Sequence, residues 1–167
     1  MVIDSSKSVS TAQAAIFASR HSYFATSQRV QAFISSCERL GIETDEKYIL
    51  KGSSTRNGGY EIGKQYAALK EPPKMIFCDS DAIALGALRA FHEEGISVPG
   101  DAELLSIGML DPEAASYYVP SLSVVEMPNK EIGQQVLRLM RKKVLNNDMS
   151  SERVKVHAKL MLRESFS

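Results

Sequence analysis

The sequence predicts an α/β fold, in which a largely parallel sheet is sandwiched by helices. Short apolar runs alternate with longer amphipathic runs along the 167 residues, and this is the chain order of strand–helix–strand units. The apolar runs show little polar alternation, as expected for strands that a parallel sheet buries on both faces. Gly and Pro residues separate the runs and mark the ends of elements. A chain of this length forms one domain, or at most two small ones, with a sizeable core.

Six runs are candidate strands. Residues Met75–Cys78 form the clearest one, because the run MIFC is apolar throughout and an acidic segment follows it at once. The run AAIFA at 14–18 has the same apolar character. Three further runs at 48–50, 104–107 and 122–125 are also predicted as strands, and an extended stretch at 154–162 closes the chain.

Apolar side chains at intervals of three and four residues predict four helices. The first carries Val30, Phe33 and Cys37 on one face, and Gly41 ends it as a left-handed C-terminal residue. The second ends before a pair of prolines, the third before a glycine, and the fourth before a polar, linker-like stretch. The apolar faces of these three helices are formed by Ile62, Tyr66 and Leu69, by Ala84, Ala87, Leu88 and Phe91, and by Ile132, Val136, Leu139 and Met140.

Ligands of such sheets bind at the carboxyl ends of the parallel strands, near the N-termini of helices. Four connecting segments, at 19–29, 52–59, 79–81 and 109–113, are expected to lie at that edge. His21 belongs to the first of them, and its position alone makes it a candidate ligand contact.

Charge, hydropathy and cysteine usage exclude several classes of protein. Twenty Lys and Arg residues balance twenty Asp and Glu residues, so the formal net charge is zero, whereas a nucleic-acid clamp needs an excess of positive charge. No apolar run approaches the ~20 residues of a membrane helix, and the first ten residues do not resemble a secretion signal. Cys37 and Cys78 lie in apolar patterns and are expected to be core thiols in a reducing compartment. We therefore expect a cytoplasmic protein with no membrane partner.

One motif is similar to a phosphate-binding loop. The residues GGYEIGK at 58–64 match G-x-x-x-x-G-K, and the acid that follows the strand at 75–78 could hold Mg²⁺. Gln65 stands where the motif requires the Ser or Thr that binds the metal, and the first glycine lies several residues beyond the nearest strand. We therefore expect a glycine-rich helix start here, and a nucleotide hydrolase is kept only as an unfavoured alternative.

Other groupings with catalytic or metal-binding chemistry are weak. Asp79 and Asp81 could act as an acid–base pair, but at a strand-to-helix junction capping of the helix is favoured. His21, His92 and His157 lack the spacing of metal ligands. We expect no metal, no cofactor and no enzymatic activity.

A series of short motifs follows in a definite order from residue 78 onward. They are a Ser-Asp-x-x-Ala-x-Gly helix start, a Val-Pro turn with an acid, a single Gly, a Pro-x-Leu strand, and a Pro before Glu-x-Gly. The residues that form them are Ser80, Asp81, Ala84, Gly86, Val98, Pro99, Asp101, Gly108, Pro120, Leu122, Pro128, Glu131 and Gly133. Together with SQRVQAF at 27–33 and the ending LMLRES at 160–165, this order resembles the effector-binding domain of the LacI/GalR repressor family. The resemblance covers residues 14–165.

The resemblance implies a periplasmic-binding-protein-like type I fold, in which two α/β lobes bind a small-molecule effector in the cleft between them. Effector binding would change lobe closure and so the affinity of a helix-turn-helix dimer for DNA. We expect residues 1–167 to be a partial effector-binding domain, with 14–126 and 152–167 in the second lobe, a helix at 127–146 in the first, and the DNA-binding headpiece absent.

The partners that the resemblance implies are a sugar, a sugar phosphate or a related effector, and a second copy of the chain in a homodimer. DNA would be bound only through the headpiece. A periplasmic-type solute-binding protein for sugar transport is the alternative within the same fold.

The resemblance also implies particular effector contacts. Arg29 matches the ligand-binding arginine of the family, and its planar guanidinium suits a bidentate grip on hydroxyls or a carboxylate. Ser80 lies where the family often has an Asn or Asp that contacts ligand, and capping of the helix is the open alternative. Ser54 stands where an aromatic platform for a sugar is common, so we expect no stacking there.

Leu110 is the main departure from the family pattern. Sugar-binding members usually place an Asp there, and in this chain only the neighbouring Asp111 is acidic. A buried hydroxyl without a partner would cost about 1–3 kcal/mol, so a less polar or differently substituted ligand fits better than a plain hexose. Tyr23, Phe24 and Met127 could line the cleft, although such side chains are more often part of a core.

Overall fold

The computed structural model describes residues 13–20, 24–108, 113–146 and 150–166. These ranges contain four helices and six strands in a mostly alternating order, with two short 3₁₀ helices at Glu46–Tyr48 and Ala114–Tyr117. The strands are β1 (Ala14–Ser19), β2 (Ile49–Gly52), β3 (Met75–Cys78), β4 (Glu103–Gly108), β5 (Ser123–Glu126) and β6 (Lys159–Met161). The helices are α1 (Phe24–Leu40), α2 (Arg56–Ala67), α3 (Asp81–Glu94) and α4 (Asn129–Asn146).

All six strands form one sheet in the order β2-β1-β3-β4-β5-β6. The strands β1 to β5 pair in parallel, and β6 is added antiparallel to β5 at one side of the sheet. Every residue of β1 is buried, as expected for a strand that is covered on both faces. The predicted largely parallel α/β sheet is thereby confirmed.

Helices α2 and α3 lie side by side on one face of the sheet, and glycines allow their backbones to touch. A Cβ added at Gly59 would lie 2.1 Å from the carbonyl oxygen of Ile83, and one added at Gly86 would lie 1.9 Å from that of Arg56. Since only a residue without a Cβ permits this approach, the glycines of both helices are packing residues.

The core beneath these two helices is built around three aromatic rings. Phe17 of β1 makes edge-on contacts with Tyr66 and Phe91, at centroid distances of 5.6 and 6.3 Å. The Tyr66 hydroxyl is satisfied because it donates to the carbonyl oxygen of Pro73 at 2.8 Å. Such contacts add to the burial of large apolar side chains, which is the main source of stability in a core.

Helix α1 covers the opposite face of the sheet. Its Phe33 stacks on Phe77 of β3 with a centroid distance of 5.7 Å and nearly parallel rings, and Cys37 of the same helix is buried. Beside these rings lies a cavity of about 240 Å³, whose lining includes Met75 and Phe166. One helix therefore covers this face less completely than two helices cover the other.

Helix α4 extends away from the sheet. None of its side chains at 129–145 is buried, and Leu137, Val144 and Leu145 are each more than two-thirds exposed. Glu152 holds the helix to the segment that follows it through ion pairs with Arg138 and Lys142. None of the helices in the described part of the chain combines the length and apolar character needed to cross a bilayer.

Two of the connections predicted at the ligand edge are shorter than expected. The loop predicted over 19–29 is wrong from Phe24 onward, because α1 begins there. The loop predicted over 52–59 ends early because the side chain of Thr55 accepts a hydrogen bond from the N–H of Gly58 and starts α2 at Arg56.

Several strand boundaries also differ from the sequence prediction, most of them by one or two residues. Tyr48 is the last residue of a 3₁₀ helix capped by Asp45, so β2 begins one residue later than predicted. The hydroxyl of Tyr48 donates to the carbonyl oxygen of Glu71. The closing extended stretch forms a ladder only at Lys159–Met161, where it pairs with β5.

Candidate functional site

The carboxyl ends of five strands meet along one side of the sheet because β1 to β5 are parallel. The register sets Ser19, the last residue of β1, opposite Gly52 of β2. At the other end of the row, Gly108 of β4 lies opposite Glu126 of β5. We call this row of strand ends the carboxyl edge, and it is where open α/β sheets bind ligands.

Arg29 reaches the carboxyl edge from α1. Its guanidinium nitrogen Nη1 donates to the main-chain oxygen of Asp79, the residue directly after β3, at 2.9 Å. The side chain is half-buried, so it is held at the strand end and yet accessible from outside. The structure thus brings Arg29 to the same place as Ser80, which follows Asp79 in the chain.

Asp79 connects the ends of β1 and β3. Its side chain is buried, with 2% exposure, and Oδ2 accepts a hydrogen bond from the backbone N–H of Ser19 at 3.0 Å. Its own N–H donates to the carbonyl oxygen of Phe17 at 2.9 Å. The prediction that Asp79 caps a helix is therefore wrong, because the carboxylate bonds to the neighbouring strand instead. The only sequence signal for this role is an acid that follows a buried strand with no intervening residue.

Ser80 caps α3. Its hydroxyl accepts a hydrogen bond from the N–H of Ile83 at 3.4 Å, and Asp81 is buried in the first turn of the helix, where negative charge suits the helix dipole. The capping alternative for Ser80 is thus present in the structure, while its expected effector contact stays a prediction.

The two other described candidates flank the same edge. Ser54 lies in the bend after β2 and is exposed, and Met127 directly follows β5 and is half-buried. Phe24, at the start of α1, is 82% exposed, so it is not a core residue. Four further candidates, His21, Tyr23, Leu110 and Asp111, lie outside the described residues.

The phosphate-loop alternative is contradicted by the structure. Residues 58–64 lie within α2, where Gly58 and Gly59 are buried against neighbouring backbone, and not in a loop that follows a strand. Lys64 is committed to ion pairs with Glu93 and Glu94 on α3, and its hydrogen bond to Glu94 raises the pKa of the ammonium group. Neither the backbone nor the lysine is available for a nucleotide phosphate.

Neither cysteine has the surroundings of a reactive thiol. Cys37 and Cys78 are free and buried, and burial raises the pKa of each thiol. Both therefore behave as small core residues, as the sequence predicted. Within the ranges that the structure describes, no group of three or more His, Cys, Asp and Glu side chains is placed to hold a metal ion.

Comparison with known proteins gives the class of the domain. Residues 11–166 match the family model of the periplasmic binding protein-like domain. Because this match spans nearly the whole sequence, the chain belongs to the family of periplasmic binding protein-like domains.

Relatives in this family are LacI-family regulators. The chain is 30% identical over 138 residues to the HTH-type transcriptional repressor PurR of Mannheimia succiniciproducens, covering 83% of this chain and 41% of that repressor. It is 29% identical to PurR of Proteus mirabilis, with coverage of 83% and 40%. The chain thus spans about two-fifths of the length of the curated relatives it matches, and the resemblance to the LacI/GalR family is confirmed.

Solved structures show the same likeness. A LacI-family transcription regulator from Clostridium acetobutylicum superposes with a TM-score of 0.85 at 29% identity, covering 92% of this chain and 57% of that one. The transcriptional repressor ascG of Escherichia coli superposes with a TM-score of 0.79 at 28% identity, with coverage of 93% and 55%. The transcriptional regulator CelR, solved in complex with cellobiose, shares the fold at 24% identity.

Proposed function

We propose that this chain is the main part of the small-molecule-sensing domain of a LacI/GalR-type transcriptional regulator. The effector binds at the carboxyl edge, in a cleft between the lobe formed by most of this chain and the first lobe, and its binding is coupled to operator binding through a helix-turn-helix headpiece. The observation that carries the proposal is the placement of Arg29, which is held at the end of β3 by the Asp79 carbonyl. The relatives are transcriptional repressors, which supports a regulator of the cytoplasm that binds its ligand without transforming it.

The proposed division into lobes follows the path of the chain across the carboxyl edge. Residues 14–126 and 152–167 make up the second lobe, and the helix at 127–146 belongs to the first. Chain that leaves β5 after Glu126 returns beside it at Lys159, since these two residues are paired in the sheet. The intervening α4 has no buried side chain over residues 129–145, and its apolar side chains are those of a helix that packs against the other lobe.

The proposed effector contacts lie along the whole carboxyl edge. Arg29 binds polar groups of the effector, and Ser80 and Ser54 contribute hydroxyls on either side of it. Met127 contributes an apolar surface at the connection to the other lobe. His21, Tyr23, Leu110 and Asp111, which lie outside the described residues, are proposed as further effector contacts.

A homodimer is proposed through the outer face of α3. We call this surface the α3 patch and define it by Leu85, Leu88, Tyr118 and Val119, which line a shallow pocket together with Arg89 and His92. Val119 is 94% exposed and adjoins the half-buried Leu85 and Tyr118, and apolar side chains that reach the surface together mark faces that associate. A second copy is the proposed occupant because the family resemblance implies a dimeric regulator, whose twofold axis would pair one patch with itself.

The test is a thermal-shift screen with neutral sugars, sugar phosphates and nucleosides, run on wild type, Arg29→Ala and Arg39→Ala. Arg39 lies in the last turn of the same helix and is exposed, so it is a matched control. A ligand at a hundred times its Kd stabilises the folded state by about 2.7 kcal/mol, which raises Tm by several degrees in a domain of this size. We expect one class of compound to shift wild type and Arg39→Ala but not Arg29→Ala. Equal shifts in all three proteins would contradict the site.

A further inference from the structure

The residue that holds Arg29 also carries a carboxylate. Arg29 donates to the main-chain oxygen of Asp79 at 2.9 Å, and the side-chain oxygen Oδ2 of the same residue accepts the N–H of Ser19 at 3.0 Å. The guanidinium of Arg29 and the carboxylate are therefore both held at the same residue, Asp79. Because the hydrogen bond from Ser19 fixes the carboxylate, it cannot turn away when a ligand approaches Arg29.

Burial strengthens the electrostatic effect of the guanidinium and the carboxylate. Asp79 is 2% exposed and Arg29 is half-buried, so the field between them is screened less than it would be in water. An anion that binds Arg29 would gain the attraction of the guanidinium and also meet the repulsion of the carboxylate. A neutral hydroxyl or carbonyl group would accept the same guanidinium hydrogen bonds without that repulsion.

Among the residues that the structure describes, the remaining charges of the edge do not reverse this balance. Asp81 is buried in the first turn of α3, and Glu126 is half-buried at the end of β5, so both carry negative charge that solvent screens only in part. Three further cations stand towards the β2 side of the edge and are exposed, namely Arg20, Lys51 and Arg56. Exposed charges contribute little because water and salt screen them.

We propose that Asp79 determines the charge class of the effector, so that the site takes a neutral ligand and disfavours one that carries a phosphate or a carboxylate. This inference rests on the proposed function, because it concerns the same site. It narrows the effector to neutral polar molecules such as unphosphorylated sugars or nucleosides.

The experiment uses inorganic phosphate as the probe and the Arg29 side-chain N–H resonance as the readout. The resonance is assigned by its loss in Arg29→Ala, and phosphate is titrated at low ionic strength into wild type, Asp79→Asn and Glu46→Gln. The asparagine keeps an oxygen that can accept a hydrogen bond from the Ser19 N–H and removes the charge, while the second carboxylate oxygen becomes an NH₂ group. Glu46 is exposed and lies before β2, at the opposite end of the sheet, so its variant removes the same charge far from the site.

We expect the phosphate Kd at Arg29 to fall about tenfold in Asp79→Asn, as the loss of one nearby, weakly screened charge implies, and to stay within about twofold of wild type in Glu46→Gln. An unchanged Kd in Asp79→Asn, or equal changes in both variants, would overturn the proposal. So would the absence of any phosphate response at Arg29 in Asp79→Asn. Asp79→Ser is the second variant should Asp79→Asn not fold, because its uncharged hydroxyl can also accept a hydrogen bond from the Ser19 N–H, and the proposal requires the same direction of change from it.

Different results would contradict the proposed function and the role of Asp79. If Arg29→Ala keeps full affinity for the compound found in the thermal-shift screen, the site itself is wrong, whatever phosphate does. If that compound requires Arg29 but carries a phosphate or a carboxylate, the site stands and the role of Asp79 is wrong.

Discussion

The hydroxyl of Ser165 accepts a hydrogen bond from the backbone N–H of Ser123 at 2.8 Å and donates to the carbonyl oxygen of Leu104 at 2.7 Å. Ser165 is fully buried, and its main chain also bonds to Leu104 and Ser121. A single serine near the end of the chain therefore joins the starts of β4 and β5. The last residues thus complete the sheet and are part of its stability.

Ser165→Ala is expected to destabilise the fold. The variant leaves the N–H of Ser123 without its acceptor and the carbonyl oxygen of Leu104 without the Ser165 hydroxyl as donor. An unsatisfied buried polar group costs about 1–3 kcal/mol. The free energy of unfolding measured in urea gives the loss directly. Ser35→Ala is the control, because that hydroxyl bonds only to a helix carbonyl on an exposed surface, and we expect a change within about 0.5 kcal/mol. Equal losses in the two variants would contradict the role assigned to Ser165.

Gly86→Ala is expected to disrupt the contact between α2 and α3. The new Cβ would lie 1.9 Å from the carbonyl oxygen of Arg56, so the two helix backbones must separate, at a cost of about 1–3 kcal/mol or more. Gly133→Ala in α4 is the matched control, since nothing lies within 4 Å of its added Cβ. There we expect no loss, and helix propensity favours alanine by about 0.5–1 kcal/mol. Urea unfolding of both variants compares the two sites, and a harmless Gly86→Ala would contradict the close approach.

Stability is expected to fall at high pH through Tyr66. Burial raises the pKa of the Tyr66 phenol to about 12, and the charge of Asp101 is a smaller cause. In the unfolded chain the phenol ionises near pH ~10. The contribution of the Tyr66 phenol to the free energy of unfolding is therefore complete below about pH 10. It is lost as the pH rises from there through about 12, because only the unfolded state ionises in that window.

The measurement is the free energy of unfolding in urea across pH 9 to 12 for wild type, Tyr66→Phe and Tyr117→Phe. The decline in stability above about pH 10 should be shallower in Tyr66→Phe. Tyr117 is 76% exposed, and removing its hydroxyl should leave the slope of wild type. Identical slopes in all three proteins would show that Tyr66 does not cause the decline.

Val119→Asp is expected to weaken self-association through the α3 patch. An aspartate at this exposed apolar position would place like charges across a twofold interface, and we expect the dimer Kd to rise about tenfold or more. Val144→Asp is the control, because Val144 is also exposed but lies on α4. Sedimentation equilibrium gives the dimer Kd of wild type and of both variants, and Val144→Asp should keep the wild-type value. A wild type that stays monomeric at all concentrations would contradict this interface for the chain.

Local sequence was sufficient to predict where most elements lie. Apolar runs such as Met75–Cys78 predict buried strands because a strand covered on both faces needs apolar side chains at every position. Gly41 and Gly95 mark helix ends because each adopts a positive φ, of 68° and 71°, which other residues rarely adopt. The family resemblance likewise depends only on the order of short motifs, and it was confirmed.

The candidate site could be predicted only in part. The motif around Arg29 identified this side chain, but the sequence did not identify Asp79 as its partner. The position of Asp79 depends on the pairing of β1 with β3, in which Asp79 also bonds to Ser19, 60 residues away in the chain. From sequence alone, an acid between a strand and a helix resembles a cap. The starts of α1 and α2 were also missed, because capping by Thr55 and burial of Gly58 are decided by contacts and not by apolar periodicity.

The sequence by itself thus determined the fold class, the family and the chain order of strands and helices. These properties depend on which residues are apolar, where glycine and proline interrupt the pattern, and which motifs follow one another. Only the tertiary structure decided that Asp79 joins Arg29 to Ser19, that Gly86 brings two helices together, and that Ser165 bonds across β4 and β5. Each of these is a hydrogen bond or contact between residues far apart in the chain, and such contacts exist only once the strands have paired.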